Sequence, residues 1–287
     1  MAEHVSLAII GGSGFYTMPG LRETREYNIG TPFGRPSAPI VVGTLEGMRV
    51  AFLARHGIGH QLTPSEVPYR ANIYALKSLG TPRIISVSAC GSLREELHPG
   101  HIVIPDQIYD NTHARPRSFF GEGLVAHVSV ANPFCEDTSS YLETAVRSAG
   151  GEVHRGGTFI TIEGPRFSTK GESLTYRTWG MSIIGMTASP EAFLAREAEI
   201  CYATMAHITD YDVWHESEAP VTVEMVIQTL HKNTELAQGA VRLLAKNLKP
   251  ERKCDCKHAL SNALITRKDA IPPATLQKLD LLVNKYL

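Results

Sequence analysis

Five short stretches of this 287-residue chain combine anion donors or paired acids with turn residues that would expose them. Gly11-Gly12-Ser13-Gly14 offers backbone N–H groups and the Ser13 hydroxyl, which together can cradle a phosphate. It runs on into Phe15, Tyr16 and Thr17, so the third glycine of a dinucleotide fingerprint is missing, and a plain tight turn is the alternative. Ala54-Arg55-His56-Gly57, with His60 four residues after His56, presents a guanidinium fork for two phosphate oxygens and an imidazole donor. The alternative is an arginine held by an internal carboxylate beside a partly buried histidine. In Ser86-Val87-Ser88-Ala89-Cys90-Gly91-Ser92, small residues and hydroxyls let the chain approach an anion closely, as they would in an ordinary small-residue turn.

The other two stretches suit a base. Thr209-Asp210-Tyr211-Asp212-Val213-Trp214 places two acids at spacing two, on the same side of an extended chain. Adjacent like charges push one carboxyl pKa upward. The protonated member can then donate to a purine N7 while its neighbour accepts from an exocyclic amine. A helix cap or a solvated pair is the bland alternative. Metal ligation is another, but no histidine or acid cluster with ligand spacing stands beside it, and no metal is expected. Thr161-Ile162-Glu163-Gly164-Pro165-Arg166-Phe167-Ser168 offers an acid, turn residues, an arginine and an aromatic that could floor a base pocket; as pattern alone it is a loop.

Positioning these groups falls to short apolar runs rich in Val and Ile. Residues 7–10, 50–53, 84–87, 102–104, 158–162, 183–184 and 202–208 read as strands, mostly continuous rather than alternating, as in a sheet covered on both faces. Helices are predicted from Ser65-Glu66 to about Gly80, over 139–148 behind an Asp137 cap, from Ser189-Pro190-Glu191, and from Thr222 to about Asn247. The alternation indicates a single α/β domain over residues 1–287, with a central mixed, largely buried β-sheet flanked by helices. Three donor-rich stretches then fall at strand exits, where open α/β sheets bind ligands. A tail over 250–287, with Cys254-Asp255-Cys256 and a helix over 273–286, is expected to pack on the body or on a neighbouring subunit.

Composition narrows the function classes. The chain is 43% hydrophobic with a net charge of −1 and no long basic run, which speaks against a nucleic-acid partner. No run approaches a membrane span and the N-terminus lacks a signal-peptide pattern, so the expected address is the cytoplasm, with no membrane partner. Five scattered cysteines do not suggest a secreted disulfide framework.

In combination, GGSG, ARHG, SACGSLRE, IEGPRFS, GMT and TDYDVW, in this order over about residues 6–247, resemble the 5′-methylthioadenosine phosphorylases of the trimeric purine nucleoside phosphorylase superfamily. The resemblance implies phosphorolysis of methylthioadenosine to adenine and 5-methylthioribose 1-phosphate, with inorganic phosphate as co-substrate and no cofactor. It implies that Ser13, Arg55, His56, Ser88, Ala89 and Thr187 hold phosphate. Met186 would lie against the ribose, Phe167 and Ser168 would line the base, and Asp210 and Asp212 would read N7 and the 6-amino group as catalytic residues. His127 and Val223 would serve the methylthio pocket. Gly185 stands where the animal enzymes have Asn. A homotrimer or homohexamer is implied. The Cys-x-Cys tail resembles forms from thermophilic archaea, which implies a Cys135–Cys201 bridge and a Cys254–Cys256 link; a reducing cytosol favours thiols. Cys90 therefore reads as a thiol and the other four stay open.

Three rival functions make different demands. A nucleotide-dependent oxidoreductase needs bound nicotinamide and an acid near position 30, where only Glu23 and Glu26 stand. A hydrolytic nucleosidase would turn over without phosphate, and a binding module would not turn over at all.

Overall fold

The computed structural model describes residues 4–11, 18–215 and 223–287, and for residues 223 and 225–233 the backbone alone. Ser13 and the side chain of Val223 thus lie outside the described residues.

The centre is β1 (Leu7–Gly11), with β4 (Met48–Ala54) and β5 (Arg83–Ser92) parallel to it on either side. Outside β4 run the antiparallel strands β3 (Ile40–Leu45) and β2 (Arg22–Tyr27). Beyond β5, one branch continues through β10 (Ile183–Gly185), β9 (Thr158–Ile162) and β7 (Gln107–Asn111). A second branch runs through β11 (Cys201–Asp210), β6 (Ile102–Ile104) and β8 (Val153–Arg155).

Alternation along β1 explains the layering, because successive side chains leave opposite faces. Ala8 and Ile10 point to a core completed by α1 (Tyr69–Ser78), α4 (Ala188–Glu197) and α6 (Pro273–Val283), through Ile73, Leu194 and Leu279. Leu7 and Ile9 point to a core completed by α2 (Glu136–Ser148) and α5 (Val223–Asn247), through Leu142, Val241 and Leu244. Both faces are dry, so the strands read as unbroken apolar runs. The tail packs on the body through Ile271, Leu279, Leu282 and Val283, and the Glu251 carbonyl accepts from Arg83 Nη2 at 2.7 Å.

Several local expectations change. The helix predicted from Ser65 starts at Tyr69 after Pro68; Glu66 instead accepts from Thr63, and the Ser65 hydroxyl bonds Glu163. Asp137 lies inside α2, whose N-cap is Cys135. Ser189 keeps the non-helical backbone of a cap, but its hydroxyl makes no capping bond. The start predicted at Thr222 falls outside the described residues. Strands β2, β3, β7 and β8 were not expected; β2 is almost wholly exposed and polar. Helix α3 (Lys170–Thr178) was missed despite its capping box, in which Thr169 Oγ1 accepts from Glu172 N and Glu172 accepts from Thr169 N.

Candidate active site

Strand β5 is paired with β1 only through Ser86 and with β10 only from Gly91. On that edge, Val87–Cys90 has no strand partner among the described residues, although β11 pairs the opposite edge throughout. A cavity of about 240 Å³ sits at this gap and is lined by Val87, Ser88, Ala89, Cys90 and Gly91. The split sheet therefore frees backbone donors at the point where the predicted strand exits meet.

One end of the cavity is built for an anion. Arg55, His56, Ser88, Ala89 and Thr187 all line it. Ser88 Oγ lies 3.2 Å from Thr187 Oγ1, and Thr187 is the residue from which α4 starts. The bidentate phosphate grip expected of Arg55 is spent elsewhere: Nε and Nη2 hold Glu191 at 2.8 and 2.9 Å, and Nη2 also meets Ser86 Oγ at 2.8 Å. Nη1 gives one hydrogen to the Val87 carbonyl at 3.1 Å, which leaves one for a ligand. Glu191 is fully buried and also accepts from Tyr202 OH at 2.8 Å. Sequence reasoning took Glu191 for an acid of the first helical turn and so missed the arginine's internal partner.

His56 also departs from expectation. Burial and the neighbouring Arg55 push its pKa down to about 4. Its Nδ1 faces the Leu62 carbonyl at 2.9 Å and must donate, so in the neutral ring Nε2 carries a lone pair rather than the expected N–H. The ring stacks on His60 at 4.4 Å, and His60, unassigned from the sequence, also lines the cavity.

The opposite end is acidic and buried. Asp210 and Asp212 line it, both almost fully buried, and burial pushes both carboxyls up; for Asp212 the charge of Asp210 adds to the push. Asp210 Oδ1 accepts from Asp212 N at 2.7 Å, and Oδ2 lies 2.7 Å from Thr209 Oγ1. Asp212 Oδ2 and the Ser168 hydroxyl are buried and make no well-formed hydrogen bond among the described residues, although the nearby Ser173 and Ser168 hydroxyls offset part of the upward push on Asp212. Such groups are costly unless something completes them. Gly91 permits the crowding, since a Cβ there would stand 2.9 Å from Asp210 Oδ1 and 3.2 Å from Asp212 Cβ.

Phe167, Ser168, Ile184 and Met186 line the walls as well. Glu163 and Arg166 do not join them. Glu163 is bound by the backbone of His113 and Ala114 and by Arg115, and is held down to about 2 despite its burial penalty; Arg166 pairs with Glu172 at 2.7 Å near the surface. Arg115 was missed because nothing in its local sequence marks it. Buried, it donates to the Met186 and Ser189 carbonyls at 2.7 Å and so pins the loop bearing Thr187. At Gly185, a Cβ would stand 2.7 Å from the Phe159 ring, so this chain offers no room for the side chain expected there in animal enzymes. His127 is exposed and outside the cavity, its backbone N–H bound to the Ala263 carbonyl.

His207, within an apolar stretch of β11, is another unexpected wall residue. Its ring is buried with both nitrogens unpartnered among the described residues, and burial pushes its pKa down to about 4. The unfolded chain therefore takes up a proton between about pH 6.5 and 4 that the folded chain refuses, so stability falls as pH falls through this window. Each such histidine, His56 and His207, removes up to about 3 kcal/mol there. Asp210 and Asp212 act in the opposite sense, so a comparison isolates one ring. His207→Met is expected to flatten the fall in urea-unfolding free energy between pH 6.5 and 4; an unchanged slope would show that the ring is not held neutral.

A profile of the Phosphorylase superfamily matches residues 6–246. The chain belongs to this superfamily. Among superfamily members, the S-methyl-5′-thioadenosine phosphorylase of Geobacter sulfurreducens is 53% identical over 282 residues, covering 98% of this chain and 99% of that one. The crystal structure of a methylthioadenosine phosphorylase from an antarctic soil metagenomic library superposes with TM-score 0.93 at 49% identity, covering 98% of this chain and 99% of the other. A mutant adenosine/methylthioadenosine phosphorylase from Schistosoma mansoni, solved with methylthioadenosine, gives 0.85 at 35% identity over 92% of this chain and 99% of its own. The superfamily match ends before the tail, whereas the fold shared with the antarctic soil enzyme takes in 98% of the chain.

Proposed function

We propose that the chain cleaves 5′-methylthioadenosine with inorganic phosphate, releasing adenine and 5-methylthioribose 1-phosphate. The observation that carries this reading is the polarity of one cavity. Hydroxyls, Arg55 and the open edge of β5 gather at one end, and two buried carboxyls with an unpartnered Oδ2 at the other. Ile184 and Met186 supply apolar wall. That layout fits an anion, a sugar and an aminopurine.

As the C1′–N9 bond breaks, its electron pair moves onto adenine and positive charge grows on the ribosyl ring. Phosphate held by Ser88, Thr187, the Ala89 backbone and the remaining Arg55 hydrogen stabilises that charge, then bonds C1′ through one oxygen. His56 Nε2 accepts the P–OH hydrogen of hydrogen phosphate, which orients a nucleophilic oxygen without a charged imidazole. Asp210 supplies the proton that N7 takes as the base leaves, and Asp212 accepts from the 6-amino group. Ser13 and Val223 complete the phosphate and methylthio ends in this reading.

In this reading His127, exposed and outside the described lining of the cavity, serves the site of a neighbouring copy, which favours a homotrimer or homohexamer. Exposed Val125, Val130 and Ile265 lie close to it in sequence or through the 126–264 bridge, and give that contact an apolar edge. No helix among the described residues is long and apolar enough to cross a membrane. The reading keeps a cytoplasmic address, where thiols rather than bridges are expected at the five cysteines.

The test is purine release from methylthioadenosine, adenosine and inosine, with and without phosphate. Release from methylthioadenosine should require phosphate and leave a sugar phosphate. Equal release in its absence would make the protein a hydrolase and remove the phosphate assignment.

A further inference from the structure

The four cysteines left open by the sequence come together far from the catalytic cavity. Cys135 ends the turn before α2, Cys201 opens β11, and Cys254 and Cys256 come from the tail. Their Sγ atoms all lie within 4.8 Å of one another, Cys201 and Cys254 at 3.3 Å. We propose that Cys135, Cys201, Cys254 and Cys256 form a tetrathiolate Zn²⁺ site that fastens the C-terminal tail to the sheet.

Geometry carries the argument first. A tetrahedral ion with metal–sulfur bonds of about 2.3 Å sets its sulfurs about 3.8 Å apart in every pair, and the mutual approach of all four sulfurs to within 4.8 Å comes close to that arrangement. Two bridges would instead divide the sulfurs into separate pairs, and the one between Cys254 and Cys256 would close a strained ring across a single residue. Soft thiolates select zinc over hard cations.

Electrostatics is the second observation. Binding releases the four thiol protons to solvent and leaves a complex with two net negative charges. Two guanidinium groups already face the sulfurs: Arg196 Nη1 lies 3.5 Å from Cys256 Sγ, and Arg252 Nη1 lies 3.8 Å from Cys201 Sγ. The N-terminus of α2, directly after Cys135, adds a favourable dipole. Neutral disulfides would need neither arginine, whereas outer donors to metal-bound sulfur are what such a site requires. Cys135, Cys201 and Cys256 are buried and Cys254 is half-exposed, which leaves a way in. Cys201 and Asp210 stand at opposite ends of a ten-residue strand, roughly 30 Å apart, so the site is structural rather than catalytic.

The experiment uses the full chain purified under reducing conditions without added chelator. Elemental analysis should find one zinc per chain. Replacing zinc by Co²⁺ should produce the intense visible bands of a cobalt tetrathiolate. The double variant Cys254→Ser/Cys256→Ser should retain at least roughly tenfold less zinc and melt at a lower temperature. Its kcat/KM for methylthioadenosine should be unchanged wherever both proteins are folded. Absence of zinc together with absence of the cobalt bands in the wild-type chain overturns the proposal. So does a mass for the denatured, unreduced chain that is lower by the hydrogens of two disulfides.

Discussion

Glu191→Ala is expected to destabilise the protein by about 3–5 kcal/mol, the usual cost of stranding a buried charge. The change leaves the Arg55 guanidinium in a 2% exposed position without the two-point carboxylate that takes Nε and Nη2. Arg55→Ala should cost a similar amount from the other side, since it strands Glu191 against Tyr202. A rise in the phosphate KM of that single variant would therefore mix lost contact with lost structure. The double replacement Arg55→Met/Glu191→Leu separates the two. Buried ion pairs exchanged for apolar residues of similar size are often neutral in stability, so the double variant should recover most of the loss. Its phosphate KM should remain high, because the remaining Nη1 hydrogen is gone. Urea denaturation and phosphate-dependence kinetics on the three variants check this. Near-wild-type stability of Glu191→Ala would show that the pair does not hold the cavity wall, and a normal phosphate KM in the double variant would remove Arg55 from the anion site.

The large features of the fold were legible because they rest on runs of one character. Strands β1, β4, β5 and β11 are largely buried on both faces, and short, Val- and Ile-rich runs such as Leu7–Ile10 between turn residues fit a covered strand better than a helix. What was not legible depends on partners far along the chain. Strand β2, Arg22–Tyr27, is polar at almost every position and exists because β3 offers it an edge. The start of α1 moved because Ser65 and Glu66, good caps by type, are engaged by Glu163 and Thr63. Helix α3 is the exception: its Thr169–Glu172 capping box stood in the sequence.

The site divides in the same way. Residues that line a strand exit, such as Ser88, Ala89, Asp210 and Asp212, announced themselves through local composition, and the structure gathers them around one cavity. Residues that act through long-range contacts did not. Glu191 meets Arg55 across 136 positions, and Arg115 reaches the Met186 carbonyl across 71. The gap in β5 pairing depends on where β1 and β10 end, which no single segment reveals. The cysteine cluster is the extreme case, since 121 positions separate Cys135 from Cys256 and only the tail's path joins them.

The carboxyl pair makes the sharpest chemical demand. We expect methylthioadenosine to be preferred over methylthioinosine by about four powers of ten, as in sites whose buried groups must be matched by the substrate. Thr209 Oγ1 lies 2.7 Å from Asp210 Oδ2 and 3.3 Å from the Cys90 carbonyl, and it has one hydrogen for the two. If that hydrogen goes to Cys90, Asp210 Oδ2 must carry a proton, which rests against Thr209 until N7 takes it as the base leaves. Burial favours this protonated form, and the charge of Asp210 pushes Asp212 up as well, so the two carboxyls share a proton and titrate as a unit. Asp212 Oδ2, unpartnered, is then the acceptor for a 6-amino group, and it would meet only lone pairs on a 6-oxo base. Asp210→Asn keeps an N–H donor but has no proton to deliver, so turnover of methylthioadenosine should fall by about 10²–10⁴ with little change in binding. Asp212→Asn supplies an N–H where the 6-oxo group accepts, so it should shift preference toward methylthioinosine. Steady-state kinetics of both nucleosides on the three proteins decide the matter. Equal turnover of the two by the unmodified protein would leave the anion end of the cavity standing and take the base-reading role away from Asp210 and Asp212.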